Sequence, residues 1–218
     1  MNEKKTYVIT IARGFGSGGK EIGLKLSKAL GIPCYYSQIL QMASDYSGLH
    51  RRLFDQVDEK LRGSNLVRLL QGTPNRDNVC EPTEKDFVSD VNLFNIQRKI
   101  IMELADTESC IIIGKCANDI LRNYDNVVSV YIEAPRKFCA ARVMKDFGCD
   151  YEEAGRMIHH TDKYRGDYYK YYTGGKIWTD PVAYDMTLNS ERVGIDGCVD
   201  TIIYYTGKKL GLDLPQGK

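Results

Sequence analysis

The chain has no pair of cysteines at C-x-x-C spacing, one tryptophan, three histidines and six prolines, and its 30 Lys and Arg nearly cancel its 29 Asp and Glu. Each scarcity excludes something. With a formal charge of +1 there is no global basic field to draw nucleic acid or anionic lipid, so any anion must be bound locally. The seven cysteines (34, 80, 110, 116, 139, 149 and 198) are odd in number and scattered, which argues for free thiols in a reducing compartment and against a zinc site. No apolar run approaches the roughly 20 residues of a membrane helix, and Met1–Thr6 leads straight into a strand-like segment, so the expected location is the cytoplasm. There is no internal repeat and no low-complexity stretch.

What is present is an alternation of short apolar runs with helical patterns. Tyr7–Ala12, Cys110–Ile113 and Val127–Ile132 are unbroken and rich in β-branched residues, as strands covered on both faces are. Ile22, Leu26, Ala29 and Leu30 recur at helical spacing before Gly31, and Ile195, Val199, Ile202, Ile203 and Leu210 do so before Gly211. A last strand is expected over Tyr184–Leu188. The pattern predicts one α/β domain over residues 1–218, with βαβ units, a parallel sheet and right-handed crossovers. Two stretches break the alternation. Residues from about 37 to 104 read as a helical insertion with a polar break at 72–78, and residues from about 149 to 178, dense in charge and tyrosine, read as a mobile cover hinged near Gly174 and Gly175.

The run Gly14-Phe15-Gly16-Ser17-Gly18-Gly19-Lys20 matches G-x-x-x-x-G-K, between a predicted strand and a predicted helix. Glycines let backbone N–H groups turn inward around phosphate oxygens, the helix presents its positive end to the same anion, and Lys20 adds a point charge. The Ser or Thr that should follow, a magnesium ligand, is replaced by Glu21 and then Ile22. Glu21 either approaches the metal through water or favours the helix N-terminus, and the second role is preferred. Ser17 supplies a hydroxyl inside the loop. A plain glycine turn and a dinucleotide-binding turn are the rival readings. The latter is disfavoured because no acidic residue ends a second strand about 20 residues on.

From Ile9 to Gly23 the chain resembles the opening of the cytidylate kinase-like family, a branch of the P-loop nucleoside monophosphate kinases. The resemblance continues through Ile111–Ala117, Tyr131–Pro135 with Arg142, Asp162–Arg165, Tyr168–Tyr172 and Tyr184–Ser190, in order along nearly the whole chain. It implies a three-layer P-loop α/β/α fold in which the 37–104 insertion binds the acceptor and the 149–178 segment is a lid. It implies ATP held by Gly14, Phe15, Gly16, Ser17, Gly18, Gly19, Lys20, Glu21 and Ile22, magnesium bridging its phosphates, and transfer to a small acceptor, CMP or dCMP first. Catalysis would rest on Lys20 with Arg142, Arg156, Lys163 and Arg165, since phosphoryl transfer asks for positioning and charge neutralisation. Against that, charged residues on a helix usually form a solvated face.

The acceptor side departs from the family pattern. Ser37 and Gln38 stand where an acidic and a basic residue are usual, Lys115 replaces an arginine, and Cys116 replaces an aspartate that would read a sugar. Lys115 loses the bidentate fork of arginine. Ser37, Gln38 and Lys115 are the acceptor-binding candidates, with His50, Arg51, Arg52, Arg62 and Arg68 as substitutes. Alternatives therefore stay open: a P-loop kinase of another small acceptor, or a nucleotide-binding regulatory protein with weak transfer. Tyr164, Tyr168, Tyr171 and Tyr172 share one helical face and are read as packing more readily than as base-stacking groups. His159 and His160 lack a third ligand and are read as surface residues. The expected partners are small molecules, with no nucleic acid and no membrane, and the oligomeric state is open between monomer and homodimer.

Overall fold

The computed structural model describes residues 6–59 and 78–215. Arg62, Arg68 and most of the polar break at 72–78 lie outside the described residues. At the centre is β1 (Val8–Arg13), all six residues of which are buried. It pairs in parallel with β3 (Cys110–Ile113) on one side and β4 (Val127–Glu133) on the other. The edges are β2 (Cys34–Tyr35) and β5 (Met186–Asn189), giving a five-stranded parallel sheet in the order β2-β3-β1-β4-β5. The last strand begins two residues later than the sequence pattern suggests, because Tyr184 turns inward and its hydroxyl donates to Trp178 O at 2.7 Å.

Alternating side chains of β1 feed two cores, since successive residues of a strand point to opposite faces. Ile9 and Ile11 pack with Ile22 and Leu26 of α1 (Gly19–Leu30) and with Val199, Ile202 and Ile203. Val8, on the other face, joins Ile39, Ile100, Ile101 and Leu104. The second layer holds α2 (Gln38–Ser47), α3 (Arg51–Val57) and α4 (Asp90–Thr107). After β3 and β4 come the short α5 (Ala117–Ile120) and α6 (Arg136–Phe147). The 22-residue α7 (Tyr151–Tyr172) leads through a 3-10 turn to β5, α8 (Ser190–Val193) and α9 (Ile195–Leu210). Helices thus cover both faces of the sheet in three layers. The seven cysteines are free, and no described helix is long and apolar enough to cross a membrane.

The segment read as a mobile cover contains one continuous helix, started by Asp150, whose carboxylate accepts from Glu153 N. Its C-terminal half is fastened to the body by aromatics. Tyr172 stacks on Phe94 of α4 with centroids 4.0 Å apart, Tyr168 meets the same ring edge-on, and Tyr172 Oη donates to Asp90 O at 3.0 Å. Tyr168, Tyr171 and Tyr172 are buried, whereas Tyr164 is exposed. Loss of one hydroxyl should cost what a single intramolecular hydrogen bond contributes. Tyr172→Phe should therefore lower the unfolding free energy by about 1 kcal/mol in urea titrations, with the slope unchanged.

Candidate functional site

The glycine run crosses the C-terminal end of β1 and opens α1, so its backbone N–H groups lie at the helix's positive end. Gly16 has φ of 83°, and a Cβ there would meet Cys139 O at 2.7 Å, so the turn admits only glycine. The loop is tied from within: Ser17, fully buried, donates through Oγ to Gly14 O at 2.8 Å, and Ser190 Oγ donates to Ser17 O at 2.5 Å. The hydroxyl of Ser17 is thereby committed to shaping the loop. Lys20 is exposed at the second position of α1, its Nζ 5.2 Å from the centre of the Tyr36 ring.

Two cations from the predicted set stand at this loop. Arg142 of α6 donates to Glu21 Oε2 at 2.7 Å, and its guanidinium lies 3.7 Å from where a Cβ on Gly18 would be. Its Nε is buried with no hydrogen-bond partner among the described residues. Glu21 thus serves as partner to Arg142 as well as standing in the first turn of α1. Arg165 of α7 is the second. Its Nη1 donates to Arg13 O at 3.2 Å, its Nε to Glu59 Oε2 at 3.2 Å, and its guanidinium sits 5.6 Å from the Phe15 ring centre. One turn earlier on the same helix, Asp162 accepts from the loop N–H of Phe15 at 2.8 Å. Burial raises the Asp162 pKa above the usual carboxylate value, against the opposing pull of that N–H and of Arg165.

Arg156 and Lys163 are not brought to the loop. Each forms an i, i+4 ion pair on exposed helix surface, with Glu152 and Asp167 respectively. Helical phase is the reason: nine residues separate Arg156 from Arg165, which at about 100° per residue places them on opposite faces. His159 and His160 are likewise exposed. Of the acceptor-side candidates, Gln38 is exposed and accepts from Tyr36 N at 3.0 Å, Ser37 precedes α2 without capping it through its side chain, and His50 caps α3 by accepting from Arg52 N. Arg51 pairs with Asp55 on the surface.

Lys115 is different, for its side chain is fully buried. It follows β3 in a turn where Gly114, Lys115 and Cys116 have φ of 78°, 60° and 56°. Two successive non-glycine residues in the left-handed region are strained, a feature that gathers at functional sites. The Lys115 ammonium contacts Asp58, while its backbone N–H donates to Glu59 Oε1 at 3.1 Å. Burial, with Arg13 and Arg165 nearby, pushes the Lys115 pKa well below that of an ordinary lysine.

Three residues at the centre of this arrangement were not singled out from the sequence: Arg13, Tyr36 and Glu59. Arg13 ends β1, is 5% exposed, and grips Glu59 with two parallel bonds of 2.7 and 3.0 Å. The Tyr36 ring stands among Arg13, Lys20 and Lys115, each with its cationic centre 5.2–5.6 Å from the centroid. Burial alone would raise the Glu59 pKa, but Arg13 and Arg165 outweigh it and hold the carboxyl at about 2. An arginine directly before the glycine loop is the signal that could have been read, since that position sits at the end of a buried strand beside the loop.

A glycine loop between a central parallel strand and its helix, with cations converging from two other elements, defines a P-loop α/β/α protein of the kinase type. The cytidylate kinase-like family model matches residues 8–192, and the chain belongs to that family. Among solved structures, an uncharacterized protein from Eubacterium ventriosum ATCC 27560 is similar at 26% identity, with a TM-score of 0.68 over 92% of this chain and 98% of that one. The shikimate kinase from Bacteroides thetaiotaomicron shares the fold at 11% identity and a TM-score of 0.50, over 95% and 100% of the two chains. No curated protein sequence matches the chain.

Proposed function

We propose that this protein transfers the γ-phosphoryl group of ATP to a small acceptor, a nucleoside monophosphate of the CMP or dCMP kind. The observation that carries the donor half is the locked glycine loop opening α1, with the buried, unpartnered Nε of Arg142 beside Gly18. Backbone N–H groups and Lys20 would hold the β- and γ-phosphates, and Arg142 and Arg165 would neutralise charge on the moving group. Magnesium, when bound with ATP, neutralises the donor phosphates further. Oxygen donors beside the loop are Asp162, on Phe15 N, and Glu133, whose carboxylate lies against Gly14; with Glu21 paired to Arg142, these two suit the ion better. Residues from about 37 to 104 are the proposed acceptor-binding part and 149–178 the proposed lid. The free thiols fit a cytoplasmic setting.

A coupled ADP-release assay over nucleoside monophosphates and other small acceptors tests the reading. CMP- or dCMP-dependent release is the expected result. Turnover confined to non-nucleotide acceptors would overturn the nucleotide assignment, and ATP binding without any acceptor-dependent turnover would overturn transfer itself. Two observations favour the second acceptor class: Gln38 Oε1 is taken by Tyr36 N, and position 116 offers a buried thiol in place of a sugar-reading carboxylate.

The lid cations should separate in the same assay. Arg165→Ala should lower kcat about 100-fold while changing the ATP KM less, as an interaction made chiefly in the transition state does. Arg156→Ala, which removes only an exposed i, i+4 pair, should leave kcat within about twofold of the parent protein.

A further inference from the structure

Behind Tyr36, the site already contains an anion supplied by the chain itself. Four N–H donors from three separate elements converge on the Glu59 carboxylate. Arg13 donates from β1 through Nη1 and Nη2 at 2.7 and 3.0 Å, Arg165 from α7 through Nε at 3.2 Å, and the Lys115 backbone from the turn after β3 at 3.1 Å. The carboxylate approaches that turn so closely that a Cβ on Gly114 would collide with it. Arg13, Arg165 and Glu59 have side chains only 6%, 10% and 13% exposed. The free space beside them is about 20 Å³, the room of a single water. Two guanidinium groups face one carboxylate here, Arg165 also standing 3.6 Å from Asp162, while Lys115 has Asp58 of its own.

The donors and the occupant differ in how they are held. Arg13, Arg165 and the Lys115 N–H belong to a central strand, a long helix and the turn closing a buried strand. Glu59 lies two residues past the end of α3, outside any helix or strand, with φ of 51°. An incoming oxyanion presents the same donors with two or three oxygens in the same compass.

Resting on the kinase reading above, we propose that Glu59 is a displaceable plug: its carboxylate fills the subsite for the acceptor's own oxyanion, a phosphate monoester or a carboxylate, which must evict it to bind. Arg13, Arg165 and the Lys115 N–H then form the acceptor's anion clamp. The chain's net preference among acceptors is set by how well each repays the loss of Glu59.

Trp178, the one tryptophan, lines the same small cavity as Glu59, Arg13 and Arg165, so its fluorescence reads the subsite without any turnover. The full chain and its Glu59→Gln variant would be titrated with inorganic phosphate and, separately, with acetate. A non-hydrolysable ATP analogue, its binding first established by calorimetry, would keep the glycine loop filled. Calorimetry thus tests the donor site, and the fluorescence titration tests the plug. Glu59→Gln should bind phosphate at least about tenfold more tightly than the parent, and adding Arg13→Gln should erase the gain. Tighter binding of phosphate than of acetate assigns a phosphorylated acceptor, and the reverse order a carboxylate. Equal or weaker phosphate binding by Glu59→Gln would make Glu59 a bracket that fixes the arginines, and would overturn the plug. Should Glu59→Gln not fold, Glu59→Asp, which keeps the charge but shortens the reach, carries the same test. It should bind phosphate more tightly than the parent, and unchanged affinity overturns the proposal.

Discussion

Lys20→Ala should lower phosphoryl transfer by about 100- to 1000-fold, as removal of a preorganised charge from a developing transition state does. Stability should change by no more than about 1 kcal/mol, because the side chain is exposed and what it gives up is a cation–π approach to Tyr36. The two readouts must be taken together. ADP release in the coupled assay gives the first, and the urea midpoint gives the second. Unchanged turnover in a folded variant would refute the assignment of the loop as the donor site.

Arg13→Ala should act the other way round, through stability first. It removes two of the four bonds to the Glu59 carboxylate, leaving Arg165 and the Lys115 N–H as its donors and the charge largely buried, for which the cost is about 3–5 kcal/mol. The pH dependence identifies the cause. In the parent protein Glu59 is held at about 2 against a reference value of 4.5, so its stabilising contribution is complete above the unfolded-state value and is lost as pH falls from 4.5 toward 2. Without Arg13 the carboxyl titrates nearer its ordinary range, and less stability is left to lose. Urea midpoints of parent and variant should therefore converge as pH drops below about 4.5. Parallel curves would show that the stability of Arg13 comes from packing and not from this pair.

Much of the frame could be read without coordinates because its signals are local. The unbroken runs at Val8–Ala12, Cys110–Ile113 and Val127–Ile132 are central strands because only strands covered on both faces use such sequences, and each is buried along most of its length. The glycine loop is legible because its residues are consecutive. The proposed acceptor end is another matter. Glu59 meets Arg13 across 46 residues and Arg165 across 106, and no short motif encodes a meeting of that kind. Tyr36 gains its place only when β2 brings it beside three cations from other elements. Arg156 and Lys163 teach the converse: they share a charged segment with Arg165, yet the period of the helix turns them to solvent. That period was available in the sequence, and phase within α7 sorts its cations better than composition does.

The helix α7 carries Asp162, which reaches the loop that would hold ATP, and Arg165, which reaches the carboxylate in the proposed acceptor subsite. Three residues of helix rise, about 4.5 Å, separate their backbones. α7, proposed as a cover, would then be a ruler as well. Because its tyrosine end is fixed on Phe94, any shift of the rod moves both contacts together and leaves their spacing untouched. On the proposed reading, the gauge between donor and acceptor would be written into one turn of backbone, which side-chain evolution around it can decorate but not lengthen.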